Sequence, residues 1–159
     1  MTIVKINPKD LHFSLKAREM CKSCKRYNEK ATCPPHVESV EYYQKLLPTY
    51  THGLLYYEKF DKSDDWVQQG KDSSLTIHNA LLKKRDELFN AGVYFINIFG
   101  AGSCKMCNKC EFPCRFPAKS IIPLEGTGVN VVELMAKHDI KISFPITDTL
   151  YRIGVVLYD

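Results

Sequence analysis

A chain of 159 residues, 45% of them apolar and 25% charged, is long enough to bury a core of its own. That composition excludes disordered, collagen-like and low-complexity classes, and no apolar run reaches the length of a membrane span. The net charge of +4 is mild but unevenly placed: segments 21–36 and 104–119 hold eight basic residues against two acidic ones, and the rest of the chain holds 14 against 16.

In chain order, Ile3–Ile6 is expected as a short strand ending at the Asn7-Pro8 turn. Leu15–Met20 reads as a short helix leading into the first cysteines. Cys33-Pro34-Pro35 stops regular structure, and a helix is expected from near Val37 to about Leu47, before Pro48. Gly53–Phe60, rich in Leu and Tyr, suits a strand. Asp64-Asp65 can cap a following helix, and Leu75–Asn90 shows helical apolar spacing with Gly92 as its stop. Val93–Phe99 is a continuous apolar run, read as a central strand, and Gly100-Ala101-Gly102 turns the chain into the second group of cysteines. Val129–His138 is helical in pattern, and Leu150–Tyr158 closes with a strand. The alternation predicts an α/β fold: a single-domain sandwich over residues 1–159, one mixed sheet with helices, and cysteine-rich loops at strand ends.

The seven cysteines are Cys21, Cys24, Cys33, Cys104, Cys107, Cys110 and Cys114. Their number is odd, the N-terminus has no secretory pattern, and a domain of this length does not need staples. A disulfide framework is therefore not expected, and the reading is a cytoplasmic protein. Buried structural cysteines would scatter over apolar faces. These fall in two short polar stretches, which points to metal binding. The adjacent cations would offset thiolate charge.

The second run, Cys104-x2-Cys107-x2-Cys110-x3-Cys114, has the spacing of ferredoxin iron–sulfur loops. Thiolates at every third residue let a short loop reach three corners of a cube. Tetrahedral zinc more often takes ligand pairs from two separate knuckles. Ferredoxins place proline directly after the fourth cysteine, whereas here Pro113 precedes Cys114. Cys114 therefore belongs either with its own run or with the N-terminal cysteines.

The first run, Cys21-x2-Cys24-x8-Cys33-Pro34-Pro35-His36, offers three thiolates and an imidazole. Taken alone this is also the ligand set of a Cys3His zinc site, so zinc is the alternative there. Two four-coordinate clusters need eight ligands against seven cysteines. Either His36 or another group fills the gap, or one iron stays open as a Lewis acid, or the first site is not a cluster.

At these stretches the chain resembles a family of cysteine-rich "predicted metal-binding" proteins of anaerobic bacteria and archaea. The first family pattern, C-x2-C-x2-Y-G-x4-C-P-P, is met by Cys21, Cys24, Tyr27, Cys33, Pro34 and Pro35, with Asn28 in place of glycine. Asn tolerates the left-handed conformation that a glycine marks. The second, G-x-C-x2-C-x2-C followed by P-C-R-H-P, is met by Gly102, Cys104, Cys107, Cys110, Pro113, Cys114, Arg115 and Pro117, with Phe116 at the histidine position. A later E-x2-G segment is met by Glu125 and Gly128. The resemblance implies metal or iron–sulfur binding and no particular reaction.

Nothing resembles a nucleophile triad, and Gly126-Thr127-Gly128 lacks phosphate-loop spacing. His12, His52, His78 and His138 are isolated and read as structural. The functional expectation is one or two [4Fe-4S] clusters in a small electron-transfer protein with a redox partner, no membrane and no nucleic acid. Cys104, Cys107 and Cys110 would hold one cluster, and Cys21, Cys24 and Cys33 a second centre, with Cys114 completing one of them. Whether the protein is also an enzyme stays open. The alternatives are a zinc-bound interaction module and an enzyme or metal-delivery factor with an incompletely ligated iron.

Overall fold

A computed structural model describes residues 1–143 and 146–159. Its centre is one five-stranded mixed sheet, in the order β1 (Thr2–Ile6), β2 (His52–Asp61), β5 (Thr149–Tyr158), β3 (Ile96–Gly100) and β4 (Ile122–Pro123). All pairs are antiparallel except β3 with β4. The C-terminal strand is thus the middle one. It pairs with β2 along its whole length, from His52–Tyr158 to Asp61–Thr149. On its other side β3 covers only Gly154–Tyr158, which leaves the edge of Thr149–Ile153 without a strand neighbour among the described residues.

Successive residues of β5 point to opposite faces, and both faces are covered. Ile153, Val155 and Leu157 pack with Leu55 and Phe99 under Leu11, Tyr43, Leu47, Val129, Leu134 and Met135. Val156, with Tyr56 and Ile98, meets Ile77 and Leu81 of the long helix α3 (Trp66–Asn90). Such two-sided burial is the sandwich predicted from the alternation of elements. Gly154 lies where α3 crosses the sheet, and a Cβ there would come within 2.6 Å of Leu81 Cδ1.

The helix limits follow their caps. Ser14 caps α1 (Leu15–Glu19), and its hydroxyl accepts from the Ala17 N–H. Ser39, rather than a residue near Val37, caps α2 (Val40–Leu46). Asp65 caps α3 as the sequence suggested, and Gly92 ends it with φ at +90° while the Val93 N–H returns to the Leu88 carbonyl. Asn130 caps α4 (Val131–Ala136), because Val129 is already bridged to Phe13. The expected strand from Val93 begins only at Ile96, since the α3 stop consumes the preceding residues. Tyr94 and Phe95 are 68% and 73% exposed. β4 is two residues long, too short to leave any pattern. No helix among the described residues is long and apolar enough to cross a membrane.

Candidate metal centres

The second cysteine run leaves the end of β3 through Gly102, whose φ of +70° turns the chain over the sheet. Residues 101–116 then form irregular chain. Cys104, Cys107, Cys110 and Cys114 all line one small cavity of about 20 Å³, together with Lys30, Ala31 and Thr32 from the first run. Cys114 therefore lies with its own run. The outer wall from 108 to 116 is mostly exposed chain without regular secondary structure.

Two polar groups from the first run serve this cavity. The Ala31 N–H donates to Cys110 Sγ at 3.3 Å. Thr32 is 6% exposed, and its hydroxyl is a buried polar atom without a partner. An unpaired buried hydroxyl costs about 1–3 kcal/mol, so it signals an acceptor that the protein alone does not supply. Four thiols, an N–H···S contact and an unpartnered hydroxyl are a donor set suited to a sulfur-rich anionic group.

The first run starts at Cys21, within the 3-10 turn Met20–Ser23 that follows α1. It then advances by short turns: Cys24 N–H to Cys21 O, Tyr27 N–H to Cys24 O, Cys33 N–H to Lys30 O, and His36 N–H to Cys33 O. Asn28 has φ at +61°, the left-handed conformation expected where Asn stands for glycine. Its N–H donates to the Pro34 carbonyl at 2.9 Å, closing the loop. Cys21, Cys24 and Cys33 line a second, larger cavity of about 440 Å³, with Glu125 in the same wall.

His36 lines neither of these cavities. Its Nε2 hydrogen-bonds Asn28 Oδ1 at 2.8 Å, and its ring lies 4.6 Å from that of Phe112. The imidazole ties the two cysteine loops together from outside. Glu125, by contrast, drew no attention as a ligand in the sequence, where it was only part of a glycine-marked segment. It sits in the 3-10 turn Leu124–Thr127 after β4 and takes the Gly102 N–H at 3.3 and 3.4 Å on its two oxygens. The short parallel pairing of β3 with β4 sets the start of that turn beside the end of β3.

Electrostatics at the first site are those of anions held in an enclosed place. Burial, followed by the charges of Cys24, Cys21 and Glu125, pushes the Cys33 thiol up to about 11. Burial and then Glu125 raise Cys21 as well, against the opposing Arg18. Burial also raises Glu125. A bound cation would reverse this penalty by ionising the thiols outright. Lys105 lies close enough to lower Cys33, and its Nζ donates to Ser103 Oγ at 2.6 Å. Of the basic residues in the two cysteine segments, Lys105 is the one set against the Cys33 thiol.

All seven cysteines are free thiols. Among the described residues no group of three His, Cys, Asp or Glu side chains forms a ready site for a single metal ion. Two of the remaining histidines have other work: His78 Nε2 donates to the Lys119 carbonyl at 2.7 Å, and His12 pairs with Glu133.

No curated protein and no solved structure matches this chain. A family model described as predicted metal-binding protein (DUF2284) matches residues 4–158. That match takes in both cysteine runs and nearly the whole fold, so the chain belongs to this predicted metal-binding family.

Proposed function

We propose that this protein is a two-centre iron–sulfur redox protein. Cys104, Cys107, Cys110 and Cys114 would bind a [4Fe-4S] cluster, and Cys21, Cys24 and Cys33 a second iron–sulfur centre. The observation that carries this reading is the lining of one cavity by all four thiols of a ferredoxin-spaced run, beside the unpartnered Thr32 hydroxyl. When bound, such clusters supply one-electron chemistry. The chain's own residues would hold the cluster through thiolates and give its sulfurs the Ala31 N–H and the Thr32 hydroxyl as donors.

What supports two communicating centres is the way the loops share a wall. Thr32 lines the small cavity and Cys33 the large one; Cys104 lines the small one and Ser103 the large one. Neighbouring residues have Cα atoms 3.8 Å apart, so the cavities are separated by about one thickness of backbone. The exposed Phe112 and Phe116, with Arg115 and Lys109 close in sequence, give the outer loop a surface suited to a redox partner. Against zinc at the first site, the histidine that would complete a Cys3His set is engaged by Asn28 and Phe112. Cytoplasmic location belongs to the same reading, because such clusters and free thiols persist in a reducing compartment.

The test is reduction of anaerobically purified protein, followed by absorption and electron paramagnetic resonance. Two reducible centres whose paramagnetic signals broaden each other fit the proposal. A colourless protein that takes up no electrons overturns it.

A further inference from the structure

A count of donors leaves the first centre one ligand short. Two four-coordinate clusters ask for eight donors, and the chain has seven cysteines. Cys114 lies with its own run, so Cys21, Cys24 and Cys33 need a fourth group. His36 is engaged elsewhere, by Asn28 and Phe112. Among the described residues on the wall that carries the three thiols there is no histidine, and Glu125 is the one carboxylate.

The backbone around Glu125 is clamped to the first cysteine run by contacts of its own. Arg18, on α1 just before Cys21, donates from Nη1 to the Gly126 carbonyl and, at 3.0 Å, to that of Glu38. Pro34, the residue after Cys33, lies against Gly126, where a Cβ would come within 3.6 Å of its Cδ. At the start of α1 the Ser14 N–H donates to the Gly128 carbonyl at 2.7 Å. The turn itself is held by the Thr127 hydroxyl, which donates to the Leu124 carbonyl at 2.6 Å.

The carboxylate itself keeps its capacity to bind. Among the described residues it is in no ion pair. The Gly102 N–H, at 3.3 and 3.4 Å, is the one hydrogen-bond donor that another described residue brings to it, against about four lone-pair sites. Three anions of the set each have a cation near them that is bonded to something else. Arg18 acts on Cys21 but holds backbone carbonyls, and Lys105 acts on Cys33 but holds Ser103. Arg152 acts on Glu125 but is held on α3 by Ser73 and Gly70. Negative charge is thus offset while the ligand atoms stay open.

We infer that Glu125 is the fourth protein ligand of the first centre, completing a set of three thiolates and one carboxylate. The inference rests on the iron–sulfur reading for the nature of that centre. A cluster takes each ligand on a different corner, which suits donors that, among the described residues, do not meet in threes around a single ion. A carboxylate oxygen is a harder ligand than a thiolate, so the iron it holds is set apart from the other irons of its cluster.

The experiment compares wild type with Glu125→Gln, which keeps the side-chain shape and an acceptor for the Gly102 N–H but removes the anionic ligand. Both are purified anaerobically from cells supplied with glutamate carrying carbon-13 in its side-chain carboxyl. Each is incubated with EDTA at a concentration that the wild type withstands, then assayed for iron, zinc and sulfide. Expected are about eight irons in the wild type and about seven in the variant, with sulfide unchanged. A carbon-13 hyperfine coupling to the reduced centre is expected in the wild type alone. The exposed Glu87→Gln on α3 should change neither. A wild type without that coupling, or equal iron in both proteins, overturns the proposal. Should the variant fail to fold, the wild-type coupling alone decides. Zinc in place of iron removes the cluster reading and still tests the ligand: one zinc fewer in the variant supports Glu125, and equal zinc overturns it. A wild type that holds no metal overturns both.

Discussion

Thr32 and Cys33 are consecutive residues that serve different cavities: the buried hydroxyl of one lines the chamber of the second cysteine run, and the thiol of the other lines that of the first. Thr32→Val keeps the side-chain shape and removes only the hydroxyl. If that hydroxyl donates to a cluster sulfur, the variant keeps its metal and its midpoint potential moves negative, because hydrogen bonds to the sulfurs favour the reduced state. In the metal-free protein thermal stability should hold or rise, since there the buried hydroxyl has no partner, at a cost of about 1–3 kcal/mol. Potentiometric titration checks it, and an unchanged potential would remove the assigned role.

Grouping of the cysteines sets which losses go together. Cys107→Ser and Cys114→Ser should each lose the same half of the iron, and Cys33→Ser the other half. Cys114→Ser losing the half that goes with Cys33 would show that the ligand crosses between runs. His36→Ala should keep all of the metal, because its ring is spent on Asn28 and Phe112. Metal analysis of each variant reads the outcome, and His138→Ala serves as an unrelated control.

His78 is a buried residue of α3, and that burial lowers its pKa below the ordinary value near 6.5, against the opposing bond to the Lys119 carbonyl. As pH falls below about 6.5 the unfolded chain takes up a proton that the folded chain resists. Stability from this residue is therefore present at neutral pH and lost on acidification. His78→Gln should show a shallower loss than wild type between about pH 7 and pH 5.5. Urea midpoints at the two pH values give the comparison, in which the titration of other groups is common to both proteins. Parallel curves would contradict it.

Gly154→Ala adds a methyl group 2.6 Å from Leu81 Cδ1 and 3.0 Å from Ile77 Cγ2, both in side chains packed on the middle strand. Overpacking of this kind costs about 1–3 kcal/mol. The same change at Gly92, where nothing lies within 4 Å of a Cβ, meets only the strain of its positive φ, about 1–2 kcal/mol. Denaturant unfolding of the pair separates collision from backbone strain.

Much of the fold could be read in the chain because its signals are local. Asp65, Gly92 and the period of Leu75–Asn90 carry α3, and the Leu- and Tyr-rich stretch carries β2. Non-local pairing left no such mark. Nothing near Tyr158 announces that the last strand inserts between β2 and β3, and β4 exists only because Ile122 and Pro123 meet Phe99 and Gly100. The candidate site divides the same way. Ferredoxin spacing singled out the thiols, whereas Glu125 and Arg152 lie 92 and 119 residues after Cys33 and enter the cavity through sheet topology. His36 stood out because it follows Cys33-Pro34-Pro35, yet local turns carry its ring outward to Asn28.

The central claim is tested most directly by counting iron, zinc and acid-labile sulfide per chain after strictly anaerobic purification. Two four-iron clusters predict about eight irons with equal sulfide. Zinc without sulfide would contradict the account and make both cysteine loops structural.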